Sequence, residues 1–115
     1  MTIRIFHNPR CSKSRATLAL LQERGIEPEI TLYLESPPDA DELRSILQKL
    51  GLTARELMRK GETEFREQGL ADESLTEAEL VAAMVASPRL IERPIVLANG
   101  RAAIGRPLES VLDIL

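Results

Sequence analysis

Aromatic residues are nearly missing from this chain. Its 115 residues include no Trp, one Tyr and two Phe, so any core must be aliphatic, built from Leu, Ile, Val and Ala. Cysteine is as scarce. With a single cysteine no disulfide can close within the chain, which fits a reducing compartment and a cytoplasmic location. One Cys and one His cannot complete a zinc site, so no metal is expected. No apolar run approaches the length of a membrane span, and Met1-Thr2-Ile3-Arg4-Ile5 turns polar too soon for a signal peptide. A basic excess is lacking too. Lys and Arg number 15 against 18 Asp and Glu, interspersed, so the basic face of a general nucleic-acid binder is not expected.

What is present suffices for a folded unit. Hydrophobic residues make up 43% and charged residues 29%, which speaks against disorder. A chain of this length buries roughly two-thirds of its unfolded surface and needs no staples. Ile3, Ile5 and Phe6 mark a first strand. Ala16, Leu18, Leu20 and Leu21 mark a helix, with Gly25 suited to the left-handed position that ends it. Ile30, Leu32 and Leu34 alternate with Glu29, Thr31 and Tyr33, the pattern of a second strand. Such a β-α-β unit implies parallel strands joined by a right-handed crossover.

Helical signals follow. Asp39 with Glu42, Thr53 with Glu56 and Thr76 with Glu79 read as capping boxes. They predict a helix bearing Leu43, Ile46, Leu47 and Leu50, a short helix from Ala54 to Lys60, and a helix bearing Leu80, Val81, Met84 and Val85. Another short helix is expected from Glu62 to Gln68. Asn99-Gly100, flanked by Ile95-Val96-Leu97-Ala98 and Arg101-Ala102-Ala103-Ile104, is a strong hairpin signal. Pro107 suits the first position of a last helix carrying Leu108, Val111, Leu112 and Leu115. The expectation is one α/β domain over positions 1–115. Its order, β-α-β then β-β-α, describes a thioredoxin-like mixed four-stranded sheet with a helical insertion at about 39–91.

The chemistry concentrates at Cys11, within His7-Asn8-Pro9-Arg10-Cys11-Ser12-Lys13-Ser14-Arg15. A thiol where a strand runs into a helix meets unpaired N–H groups and the positive end of the helix dipole. Arg10, Lys13 and Arg15 lie within one turn. All favour the thiolate, the nucleophilic form, and the same N–H groups suit a phosphate-like anion. A lone cysteine also serves as buried apolar filler, but such charged company favours reactivity. His7 either partners the thiolate as a cation or holds the loop. Asn8 bonds its own turn and Pro9 stiffens it. Ser14 either donates a hydrogen bond to the thiolate or oxyanion, or is a helix serine without a role. Arg59, Arg93 and Arg106 are either surface charges or, if they converge, a clamp matched to a tetrahedral oxyanion. Arg93 precedes Pro94, where thioredoxin-like folds place a cis proline beside the nucleophile; from sequence both isomers are open.

Several spaced motifs carry a resemblance along essentially the whole chain. They are His7-Asn8-Pro9-x-Cys11-x-x-Ser14-Arg15, Tyr33-Leu34-Glu35-x-Pro37-Pro38, Arg55-x-Leu57-x-Arg59-Lys60, Glu92-Arg93-Pro94-Ile95-Val96 and Gly105-Arg106-Pro107 before Val111-Leu112-Asp113-Ile114-Leu115. The chain resembles the glutaredoxin-coupled arsenate reductases of the ArsC/Spx group in the thioredoxin superfamily. The resemblance implies Cys11 as nucleophile toward arsenate, with Arg59, Arg93 and Arg106 holding the oxyanion and His7 helping to set the thiolate state. Asn8, Ser14, Arg15 and Pro94 would support the loop. It implies glutathione as co-substrate and glutaredoxin as the reductant that resets Cys11. No tightly bound cofactor is expected, and the chain is expected to be a monomer. Two other readings share parts of this pattern. A glutathione-dependent thiol-disulfide reductase would use Cys11 without an arginine clamp. A regulator resembling the Spx transcription factors would bind RNA polymerase, but those typically carry Cys-x-x-Cys, where Ser14 stands here.

Overall fold

The computed structural model describes residues 3–115; Met1 and Thr2, the start of the segment expected not to be a signal peptide, lie outside the described residues. The chain divides into two compact units: a sheet unit of residues 3–36 with 93–115, and a helical unit, Pro37–Glu92.

The sheet unit holds the expected mixed four-stranded sheet. Strands β1 (Arg4–Phe6), β2 (Glu29–Thr31), β3 (Ile95–Ala98) and β4 (Arg101–Ile104) lie in the order β2-β1-β3-β4. β1 pairs parallel with β2 and antiparallel with β3, so Ile5 stands opposite both Ile30 and Val96. β3 and β4 form the hairpin around Asn99 and Gly100, at φ 56° and 72°, the left-handed region that an Asn-Gly turn demands. Helix α1 (Ser12–Glu23) follows β1 and ends at Gly25, at φ 76°. Ile5, Leu21, Val96, Ala98, Val111 and Ile114 form the aliphatic core of this unit.

Two expectations for this unit are corrected. The second strand is shorter than the alternation through Leu34 suggests, and Ile30, Leu32 and Leu34 are all exposed, while Tyr33 is buried. β2 is an edge strand ending at Thr31, and a turn closed by the Glu35 and Ser36 N–H groups on the Leu32 carbonyl follows it. That turn inserts the larger Tyr33 ring and leaves the leucines outside. The last helix is a 3₁₀ helix, Leu108–Ile114, with Pro107 flanking it in extended conformation instead of opening it. The face that α1 buries begins with two polar residues, Ser14 and Thr17, before Leu21, whereas Ala16 is exposed.

In the helical unit, α2 (Ala40–Leu50) is capped by Asp39, whose carboxylate accepts from the Glu42 N–H at 2.8 Å. The boxes at Thr53 and Thr76 both close, at α3 (Ala54–Leu57) and α5 (Glu77–Ala86), with α4 (Thr63–Glu67) between them. Such a cap is worth about 1 kcal/mol, which matters for a helix of one turn. α3 ends earlier than expected. Met58 is extended and pairs with Ile91, so Arg59 lies beyond the helix, its N–H donating to the Leu90 carbonyl at 2.7 Å. A backbone pairing with a distant segment overrides helix propensity here. Leu43, Leu57, Val81, Met84 and Leu90 are fully buried in this unit. Among the described residues, no helix is long and apolar enough to cross a membrane.

Candidate active site

The loop between β1 and α1 is held by its own side chains. The Asn8 side-chain oxygen accepts from the Arg10 N–H at 3.0 Å, a local turn that Asn readily makes. The Arg15 guanidinium donates to the Pro9 carbonyl at 2.8 Å. Buried Ser14 is the hub: its hydroxyl oxygen accepts from the Asn8 N–H at 3.0 Å and sits 2.6 Å from His7 Nδ1. Burial first, and then the Arg15 charge, push the His7 pKa below its ordinary value, so the ring is neutral at pH 7. Between the two readings of His7, this favours the loop holder over the cation partner. One proton lies in the His7–Ser14 contact, on either the hydroxyl or the ring nitrogen.

Cys11 occupies the N-cap of α1, with φ −95° and ψ 122°, where Ser, Thr, Asp or Asn would ordinarily stand. Its sulfur makes no capping hydrogen bond of regular geometry. The Lys13 and Ser14 N–H groups nonetheless face it closely enough to act on its charge. Partial burial pushes the thiol pKa up. The Ser14 N–H, the Arg93 side chain, the Lys13 N–H and the Arg93 charge outweigh it, and the net pKa lies below the ordinary thiol value. Cys11 is half-buried rather than sealed, so it is open to a reactant.

Two of the three distant arginines reach this sulfur. Arg93 hydrogen-bonds it through its side chain. Arg106 Nη2 lies 3.7 Å from Sγ, while its Nε donates to the Arg93 carbonyl at 2.8 Å, which ties the two arginine segments together. The contact with Arg106 is long, and Arg93 accounts for more of the effect on the thiol. Both Arg93-Pro94 and Arg106-Pro107 are cis. Arg59 belongs to the helical unit, where its Nη1 lies 3.0 Å from Glu62 and its Nε 3.9 Å from Glu92. A cleft of about 320 Å³ next to the Cys11 loop is lined by His7, Asn8, Pro9, Arg10, Leu32, Leu34 and Glu35.

Removing Arg93 takes away two of the influences that lower the Cys11 pKa and leaves the burial that raises it. In Arg93→Ala the pH profile of iodoacetamide alkylation should therefore move to higher pH. The variant reacts more slowly than wild type near neutrality, and the two converge once both thiols are ionised. Superimposable profiles would show that Arg93 does not act on the thiolate.

Sequence reasoning passed over Thr17 and, although it quoted Gly105 in a motif, gave that glycine no role. A Cβ built on Gly105 would stand 2.5 Å from Thr17 Oγ1 and 2.9 Å from Pro94 Cγ, so the segments carrying Cys11, Pro94 and Arg106 meet where only a hydrogen fits. The available signal was the spacing of Ser14, Thr17 and Leu21 along one helical face, polar where a core stripe would be apolar.

The ArsC family profile matches residues 6–114. The chain belongs to the ArsC family. This ArsC chain is 60% identical over 114 residues to Escherichia coli K12 YfgD, named as uncharacterized, covering 98% of this chain and 96% of that one. It is 54% identical over 114 residues to a Neisseria meningitidis serogroup B protein named arsenate reductase, covering 98% and 97% of the two. The solved structure of an arsenate reductase from Vibrio cholerae superposes with a TM-score of 0.97 at 51% identity, covering 100% of this chain and 98% of that one. This ArsC chain thus has the thioredoxin-like fold of those proteins.

Proposed function

We propose that this protein is an arsenate reductase that works with glutathione and glutaredoxin. The observation that carries the reading is a half-buried cysteine at a helix N-terminus, held toward its thiolate, with two guanidinium groups brought to it from distant parts of the chain. Members of the family named arsenate reductases, at 54% identity, support the substrate.

In this reading the Cys11 thiolate attacks arsenic, forming an S–As bond as an oxygen leaves as water. Arg93 and Arg106, together with Arg59, hold the remaining oxygens and offset their charge. A glutathione thiolate then attacks the Cys11 sulfur. The S–S bond forms, the S–As electron pair passes to arsenic, and As(V) leaves as arsenite. The two electrons come from the two sulfurs. A glutaredoxin thiol takes glutathione from the mixed disulfide and restores Cys11. The resolving thiol must come from outside, since Cys11 is the only cysteine. The arginines at the sulfur favour an oxyanion over a thiol-disulfide substrate, which would need no such cations.

The test is arsenite formation from arsenate with glutathione alone, glutaredoxin alone, and both. Turnover that requires both is expected, and arsenate should protect Cys11 from alkylation. No arsenite in any mixture, with no protection, would sink the arsenate assignment.

A further inference from the structure

The cleft beside the Cys11 loop has two walls, both inside the sheet unit. Arg10 stands on the loop wall, its N–H held by the Asn8 side chain at 3.0 Å. Cys11 follows directly, its N–H donating to the Asn8 carbonyl at 3.0 Å. The other wall is the turn after β2, closed on the Leu32 carbonyl by the Glu35 and Ser36 N–H groups at 2.9 Å. This turn leaves Leu32 and Leu34 in solvent, at 37% and 38% exposure, on either side of buried Tyr33. Arg10 and Glu35 are exposed and oppositely charged, and among the described residues neither enters an ion pair. A cation, an anion and two uncovered leucines therefore line one depression beside the nucleophile.

We infer that this cleft takes the γ-glutamyl end of glutathione while the glutathione sulfur meets Cys11. The inference rests on the reading that glutathione resolves the Cys11 intermediate. The γ-glutamyl end carries a carboxylate and an ammonium on one carbon, the two charges that Arg10 and Glu35 complement. Its methylene groups suit the exposed leucines. Reach agrees with this placement. The thiol is on the middle residue of the tripeptide, so one arm has to pass only from Cys11 to the adjoining loop wall, and neighbouring residues of a chain are about 3.8 Å apart. The glycine end fits less well, because it brings a carboxylate toward Glu35 and has no ammonium to offset it.

The test needs no arsenate. Cys11 in the full chain is converted to its mixed disulfide with thionitrobenzoate. Release of the coloured thiolate is then followed with glutathione or with cysteinylglycine, which is glutathione without its γ-glutamyl group. In each case the attacking thiolate bonds to the Cys11 sulfur as the bond to thionitrobenzoate breaks. With rates corrected for thiolate fraction, wild type should favour glutathione by about fivefold to tenfold, the size of two exposed charged contacts with some apolar cover. E35Q and Arg10→Ala should each cut that preference by about twofold to fivefold, and added salt should erode it in wild type. Each result is a ratio between two thiols, so any effect of a substitution on the Cys11 sulfur itself cancels. A cleft that only shapes the loop would slow both thiols alike and leave the ratio intact. Equal rates in wild type, or a preference kept in both variants, overturns the inference. The two readings fail differently. A preference for glutathione without arsenite formation removes the substrate assignment and keeps the cleft, whereas arsenite formation with equal thiol rates removes only the role of the cleft.

Discussion

Cys11→Ser is expected to abolish arsenite formation, a loss of at least about a thousandfold for deleting the nucleophile, and to raise stability at acid pH. The second half follows from where the sulfur stands. At an N-cap a hydroxyl accepts from the N–H groups of the second and third helical residues, and a good cap is worth about 1 kcal/mol. Cys11 leaves that bond unmade. The thiol gives something back only when ionised. Its folded pKa is depressed, so the thiolate contributes stability that is fully present above the unfolded thiol pKa and is lost as pH falls through the folded one. Below that window only the cap counts, and serine wins. Above it the variant forfeits the interaction of a thiolate with Arg93, and its advantage shrinks or reverses. Thermal unfolding of both proteins from pH 5 to pH 9 reads this directly. A variant uniformly less stable would mean that packing, not charge, places the sulfur.

Gly105→Ala is expected to destabilise the sheet unit by about 1–3 kcal/mol, the usual range for overpacking. Gly105 takes no left-handed conformation, so the cost is steric: the new methyl would meet Thr17 Oγ1 at 2.5 Å and the Pro94 ring at 2.9 and 3.3 Å. Neither neighbour is the loose end of a long side chain. Thr17 Oγ1 is committed to the Lys13 carbonyl at 2.9 Å, and the Gly105 N–H bonds the Pro94 carbonyl at 3.0 Å. Because Arg106 follows directly, the displacement should also weaken arsenate use. Thr17→Ala removes the closest clash, so the double variant should recover part of both losses. Residues in contact depart from additivity in this way. Wild-type Tm and kinetics in Gly105→Ala would show that the three segments are not tightly packed.

Half of the nucleophile's setting was legible in the sequence because it is local. The Asn8 turn, the N–H groups of Lys13 and Ser14, and the strand-to-helix junction all lie within a few residues of Cys11. His7 was the exception within the loop. Its proximity suggested a cation, but its charge depends on burial, and the buried ring is neutral. Arg59 shows the same limit: its position at a helix end followed from helix propensity, and a pairing between Met58 and Ile91 moved it out.

Near-neighbour chemistry alone dictates the caps at Asp39, Thr53 and Thr76, the Gly25 stop, the Asn99-Gly100 hairpin and the thiol at a helix start. Each is settled by hydrogen bonds and dihedral preferences among near neighbours. Long-range packing set which face of positions 30–34 is inside and which charges meet the sulfur. Arg106 and Cys11 are 95 positions apart, and a contact of that kind depends on strand order and register. Edge placement turned the alternation of Ile30, Leu32 and Leu34 outward, because an edge strand can end early and let a turn bury Tyr33 in their stead.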